Sequence, residues 1–212
     1  FVLNSDGAVF LEVWRMNKMK KVFKVAIYEL KLMCFSSKFL ILSVLAFIIM
    51  DVTVRGYRMF SHDYNLPIAP AVLPFYFADV SYGNIEILFL LLWFSDVPMK
   101  QRVQNQILQR CGMPCFALGH LFSIVFATIV FVLEQFVFSV LLCGTNLTFT
   151  SWGKVWGSAA AGTVKKLGYS SGFVISKNVF QNYTVPQALL FSMTIFLLMG
   201  ICYGMVEFLL NG

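Results

Sequence analysis

Pro114–Cys143 reads PCFALGHLFSIVFATIVFVLEQFVFSVLLC, thirty residues in which His120 and Glu134 are the titratable side chains besides cysteine. At about 1.5 Å per residue such a helix is roughly 45 Å long, more than the about 30 Å of a bilayer's hydrocarbon core. It crosses the membrane with tilt, protrudes, or breaks. Pro186–Leu210 (PQALLFSMTIFLLMGICYGMVEFLL) is a second run of spanning length, and Phe39–Val54 (FLILSVLAFIIMDVTV) reaches it when extended to 36–56. A fourth run, 78–97, has the continuous centre Ile87–Phe94 (ILFLLLWF) but polar shoulders at Asp79, Asn84 and Glu86. Four spans are therefore expected, at 36–56, 78–97, 114–143 and 186–210.

Composition agrees. Of the 212 residues 59% are hydrophobic and 12% charged, with a mean hydropathy of +0.78. A soluble domain carries about 25% charged residues, so half the usual polar surface is missing and lipid takes its place. The 23 Phe exclude a disordered chain, and five scattered Cys exclude a disulfide scaffold. The expected fold is an all-α polytopic transmembrane bundle with amphipathic helices at its interfaces.

The net charge of +6 does not indicate nucleic acid, because the basic residues flank apolar runs, as topology determinants do. With the N-terminus inside, ten of the sixteen Lys and Arg fall on the inner side, from Arg15 to Lys38 and at Lys100, Arg102 and Arg110. Arg55, Arg58, Lys154, Lys165, Lys166 and Lys177 fall outside. A multi-pass protein of the cell membrane with a cytoplasmic N-terminus is expected. The start Phe1-Val-Leu-Asn-Ser-Asp-Gly lacks a secretory pattern. Met16 and Met19 are plausible starts, so 1–18 is expected to be an upstream extension of a transmembrane domain at 19–212, with further sequence expected beyond Gly212.

Lys21, Lys24, Tyr28 and Lys31 fall on one helical stripe, and Lys38 continues the seven-residue spacing. A basic stripe on an apolar helix suits a membrane surface, where lysines meet headgroups while the flank sinks toward the acyl chains. The same pattern also fits the plain cytoplasmic start of the first span. Residues 57–80 read as an irregular loop with a short interfacial helix. Ser95–Arg110 reads as a loop helix opened by Pro98, with Lys100, Arg102 and Arg110 set against Val103, Ile107 and Leu108. Residues 144–186 form a second long polar region, with Trp152 and Trp156 one helical turn apart.

Motifs for chemistry are few. Gly153-Lys154 is followed by Val155 and has no upstream glycine at the spacing of a phosphate-binding loop. Neither GxSxG, HExxH, CxxC nor a GxGD-like sequence occurs, so no catalytic residue, metal site or cofactor is expected in this chain. Acids at membrane depth are costly and are functional candidates by default. Glu86, Glu134, Asp51 and Glu207 qualify, with His120 as a partner. Each is either an interfacial anchor that reaches water or a paired, pathway-facing group; Glu86, His120 and Glu134 are the pathway candidates.

Several features together match one family. They are the basic amphipathic leading helix, the first span, the long outer loop, a second span ending Phe94-Ser95-Asp96-Val97-Pro98, the inner helix to Arg110-Cys111-Gly112, and a third span opening Ala117-Leu118-Gly119-His120. Trp152-Gly153-Lys154-Val155-Trp156-Gly157 and Asn182-Tyr183-Thr184-Val185-Pro186-Gln187-Ala188-Leu189 belong to the same pattern. Over about residues 19–212 the chain resembles the membrane subunits of type-2 ABC exporters, particularly poorly characterised permease-like proteins of Gram-positive bacteria. The resemblance implies a permease subunit paired with a second one, as homo- or heterodimer, and driven by a separate cytosolic nucleotide-binding subunit that supplies ATP and Mg. It makes Lys21, Lys24, Lys31 and Lys38 a membrane-surface elbow. It makes Pro98, Lys100, Arg102, Val103, Ile107 and Arg110 the coupling helix that docks on the ATPase. Six spans are usual there and four are visible here. The alternatives are a non-transporting membrane scaffold or immunity-type protein and, third, an intramembrane enzyme.

Overall fold

The computed structural model describes residues 5–95, 108–109, 111–144, 146–169, 172–173 and 175–211, with side chains from residue 18 onward. Most of those residues are helical and none lies in a strand; Ile68 and Leu147 form one isolated parallel bridge. The helices are α1 (Ser5–Cys34), α2 (Ser37–Asp63), α3 (Leu73–Ala78), α4 (Val80–Phe94), α5 (Met113–Cys143), α6 (Gly153–Ala160), α7 (Thr163–Lys166), α8 (Lys177–Asn182) and α9 (Val185–Asn211). Three are long and apolar enough to cross a membrane: α2, α5 and α9. The fourth apolar run forms α4, whose 15 residues give about 22 Å, short of a full hydrocarbon core.

Local chemistry sets the helix ends. Ser36 breaks the chain between α1 and α2: its hydroxyl donates to the Met33 carbonyl at 2.8 Å and accepts from the Phe39 N–H at 3.1 Å. Asp79 caps α4 by accepting from the Ser81 N–H. Pro114 stands in the first turn of α5, where a missing N–H costs nothing.

The first spanning helix runs to Asp63, seven residues past its expected end near 56. Arg55 and Arg58 mark where lipid stops, but both pair with Asp51, at 2.6 and 3.0 Å, so the helix carries them without interruption. Beyond them Tyr57, Phe60 and Ser61 are buried, and their packing rather than hydropathy keeps the helix going.

What they pack into is a cap. Rings of Tyr57, Phe75, Trp156 and Phe173 meet with centroids 5.0–6.1 Å apart, and an extended segment, 68–72, is threaded fully buried through them. A buried irregular backbone needs donors and acceptors from its surroundings. Here Trp156 Nε1 donates to the Ala69 carbonyl (2.8 Å), Ser139 Oγ donates to the Pro70 carbonyl (2.9 Å), and Ile68 exchanges bonds with Asn146 and Thr148.

A second apolar core lies among the long helices, with Leu42, Ala46, Leu90, Trp93, Phe131 and Phe196. Small residues let the helices approach. A Cβ on Gly200 would stand 2.4 Å from Thr128 Cγ2, and one on Gly204 2.4 Å from Ile124 Cγ2, so α9 lays a small-xxx-small face on α5. Opposite the cap, Lys38 Nζ donates to Ser95 Oγ at 2.7 Å and Asn211 Nδ2 donates to the Ser95 carbonyl at 3.1 Å. The start of α2, the end of α4 and the end of α9 therefore meet at one end of the bundle.

Candidate functional site: a buried polar seam

Glu86 lies on the packed face of α4 with Phe89, Leu90 and Trp93, and is 3% exposed. The sequence reading allowed it an interfacial anchor's access to water; the fold removes that access, because the face two turns on from Asp79 turns into the bundle. On α5 Glu134 is a second enclosed carboxyl, with the Ser43 hydroxyl of α2 beside it. Oε2 of each carboxyl is buried without a hydrogen-bond partner, as are both amide atoms of Gln135 and Nε1 of Trp93. Toward the cap, Tyr76 and Thr53 share a hydrogen bond of 2.6 Å.

Unsatisfied buried polar atoms cost about 1–3 kcal/mol each, so a bundle that keeps several of them on α4 and α5 is held below its best attainable packing. Such a concentration marks a functional-site candidate in a membrane protein. Two carboxyls and an amide on α4 and α5, helices held together mainly through α9 and α2 between them, offer acceptors and donors to a proton, a cation or a polar group within the bundle. Among the described residues no group of three or more metal-ligating side chains converges.

His120 does not join this seam. It is 1% exposed on α5, between the rings of Phe116 (4.3 Å) and Phe208 (5.7 Å). Its Nε2 stands 3.8 Å from Oε1 of Glu29 on α1, beyond hydrogen-bond length. Glu29 was missed by the sequence reading, though a signal exists: it occupies the stripe of Val22, Val25, Ala26 and Met33, the buried face of α1. Asp51 pairs with Arg55 and Arg58, as an anchor would, and Glu207 accepts from Asn211 Nδ2 at 3.3 Å.

Burial pushes the Glu29 carboxyl up to about 7 from 4.5. The folded chain then keeps its proton up to about pH 7, while the unfolded chain loses it near 4.5. Between those values the folded state holds more protons at this site, so the contribution of Glu29 to stability falls as pH rises and levels off above about 7. Glu29→Gln is expected to remove that contribution, so that the melting temperature of the detergent-solubilised protein between about pH 4.5 and 7 changes with pH in a more positive direction than in the unsubstituted chain. An unchanged slope in the variant would assign the pH dependence elsewhere.

Lys21, Lys24 and Lys31 are exposed on α1, interleaved with exposed Phe23, Ile27 and Tyr28. The opposite face docks on α5, where a Cβ at Gly119 would stand 2.6 Å from Val25 Cγ1. Lys38 is separated from this stripe: the Ser36 break places it on α2, bonded to Ser95. Pro98, Lys100, Arg102, Val103, Ile107 and Arg110 lie outside the described residues.

Comparison of the chain with protein-family models, with curated proteins and with solved structures finds no match.

Proposed function

We propose that the chain is the membrane subunit of an ATP-driven ABC-type exporter, with α2, α4, α5 and α9 as four crossings and a cytoplasmic N-terminus. The observation that carries this reading is the alternation of the helix ends. The start of α2 and the ends of α4 and α9 gather at Lys38, Ser95 and Asn211, while the end of α2, the start of α9 and the end of α5 pack into the cap. In this reading α4 traverses the same bundle as its longer neighbours. In this reading α1, docked along the first half of α5 through Val25 and Phe23, turns its basic face to the inner headgroups.

The mechanism is indirect. ATP-driven closure of a partner ATPase presses on the Pro98–Arg110 segment, which moves α4 against α5 and opens their seam alternately to either side. Glu86, Glu134 and Gln135 are the polar groups such a movement uncovers, and a second permease subunit completes the path.

Co-purification with the products of neighbouring genes is expected to recover a subunit carrying a phosphate-binding loop. Lys100→Glu, Arg102→Glu and Ile107→Asp are each expected to abolish its association and its stimulated ATPase activity while leaving the membrane chain folded. Intact complex and activity in all three would overturn the coupling assignment, and repeated absence of any nucleotide-binding subunit would overturn the exporter reading.

A further inference from the structure

Between α3, α8 and the first three turns of α9 lies a recess of about 250 Å³. Phe77 and Val179 form one side, and Ala188, Phe191, Ser192 and Ile195 of α9 form the other. Two hydroxyls belong to its lining: Ser192 Oγ is already used, donating to the Leu189 carbonyl at 3.0 Å, and Tyr183, half-exposed with its ring against Phe191 at 5.5 Å, is the one polar group left to it. A trapped water needs two to four polar partners, and apolar cavities that lack them stay dry and take apolar guests. The volume lies below the about 300–1,000 Å³ of sites for drug-sized ligands. It holds roughly eight groups of about 30 Å³, the bulk of a short run of methylenes.

The mouth of the recess is continuous with a lipid-facing surface. Phe191 and Ile195 line it and are themselves 56% and 48% exposed; Leu190 and Leu198, 68% and 57% exposed, extend the same apolar flank along α9. Ala188 to Ile195 lie about 5–15 Å along the axis from the Val185 end, the depth of acyl chains in one leaflet. There the surrounding solvent is hydrocarbon, so no hydrophobic transfer drives binding. The gain is dispersion contact that an empty recess forfeits.

We propose that this recess binds a single acyl chain of a phospholipid from the leaflet at the Val185 end of α9, wedged between the span and the cap. The inference requires only that α9 spans the membrane, and stands or falls independently of the ATPase partner.

The test reconstitutes the full chain in phosphatidylglycerol vesicles doped with a phospholipid that carries a diazirine midway along one acyl chain, followed by irradiation and peptide mapping. Adducts are expected on the peptides of Phe77 and Val179, besides those of the open flank at Leu190 and Leu198. Ala188→Phe, which fills the recess, is expected to reduce the Phe77 and Val179 adducts to the level of the water-facing Lys165–Lys166 peptide while Leu190 and Leu198 stay labelled, showing that α9 is still inserted. Against overpacking by a buried phenyl, Ile195→Ala provides the converse: a wider mouth and stronger labelling at Val179. Labelling of Phe77 and Val179 at background in the unsubstituted chain, or unchanged by both variants, would overturn the proposal.

Discussion

Trp156→Ala is expected to lower the unfolding free energy by about 3–5 kcal/mol, the usual cost of emptying a large aromatic site in a well-packed core. Trp156 is fully buried and meets Tyr57, Phe75 and Phe173, so its loss leaves three rings facing a void. It also removes the indole N–H that holds the Ala69 carbonyl; the remaining donor there is the Cys143 thiol, at 3.9 Å a weak one. Trp156→Phe separates the two contributions, keeping most of the apolar volume while orphaning the carbonyl, and is expected to cost about 1–3 kcal/mol. Equilibrium unfolding in detergent, followed by the fluorescence of the remaining tryptophans, measures both. A loss under about 1 kcal/mol in the alanine variant would mean that the cap unfolds independently of the bundle.

The second large effect is expected at Gly153. Its φ is +69°, and a Cβ there would stand 2.3 Å from the Pro67 carbonyl oxygen and 3.1 Å from the carbonyl carbon. Both obstacles are backbone, and that backbone cannot retreat, because the adjoining Ile68 is bonded to Asn146 and Thr148. Gly153→Ala therefore combines the left-handed conformational penalty of about 1–2 kcal/mol with displacement of the backbone at Pro67 and Ile68, for a total of about 2–4 kcal/mol. Gly162 provides the control: its φ is +75°, but nothing lies within 4 Å of a Cβ, so Gly162→Ala is expected to cost the conformational part alone. Equal losses in the two variants would refute the close approach of Gly153 to Pro67.

Three spanning helices were legible because a bilayer's thickness imposes a length that hydropathy reports directly. The end of α2 was not, since Arg55 and Arg58 close the lipid-facing stretch while Tyr57 and Phe60 continue the helix into a protein core that hydropathy does not distinguish from lipid. The bundle polar residues were found one by one, but their grouping was not. Glu86 and Glu134 are 48 positions apart, and only the packing of α4 on its neighbours brings them together, while His120 goes to Glu29 on α1. That partner was hidden for a specific reason: a carboxylate in a lysine-rich helix reads as part of a solvated face unless its register with Val22, Val25 and Met33 is checked. The 68–72 segment, rich in Pro and Ala, reads as a loop; its burial depends on donors from Trp156 and Ser139 that lie far along the chain.

The grip on that segment has a mechanical consequence. Ser139 near the end of α5 and Trp156 of α6 hold the backbone that leaves α2, so α2 and α5 cannot slide or swivel past each other at this end without breaking several bonds at once. The cap is therefore a fulcrum, and any rocking of the long helices has its greatest travel at the far end, where α2, α4 and α9 are joined through Ser95 by contacts on exposed side chains. The molecule is pinned between α2 and α5 at the aromatic end, while toward the lysine-rich end α5 is clasped by α1 at Gly119 and by α9 at Gly204.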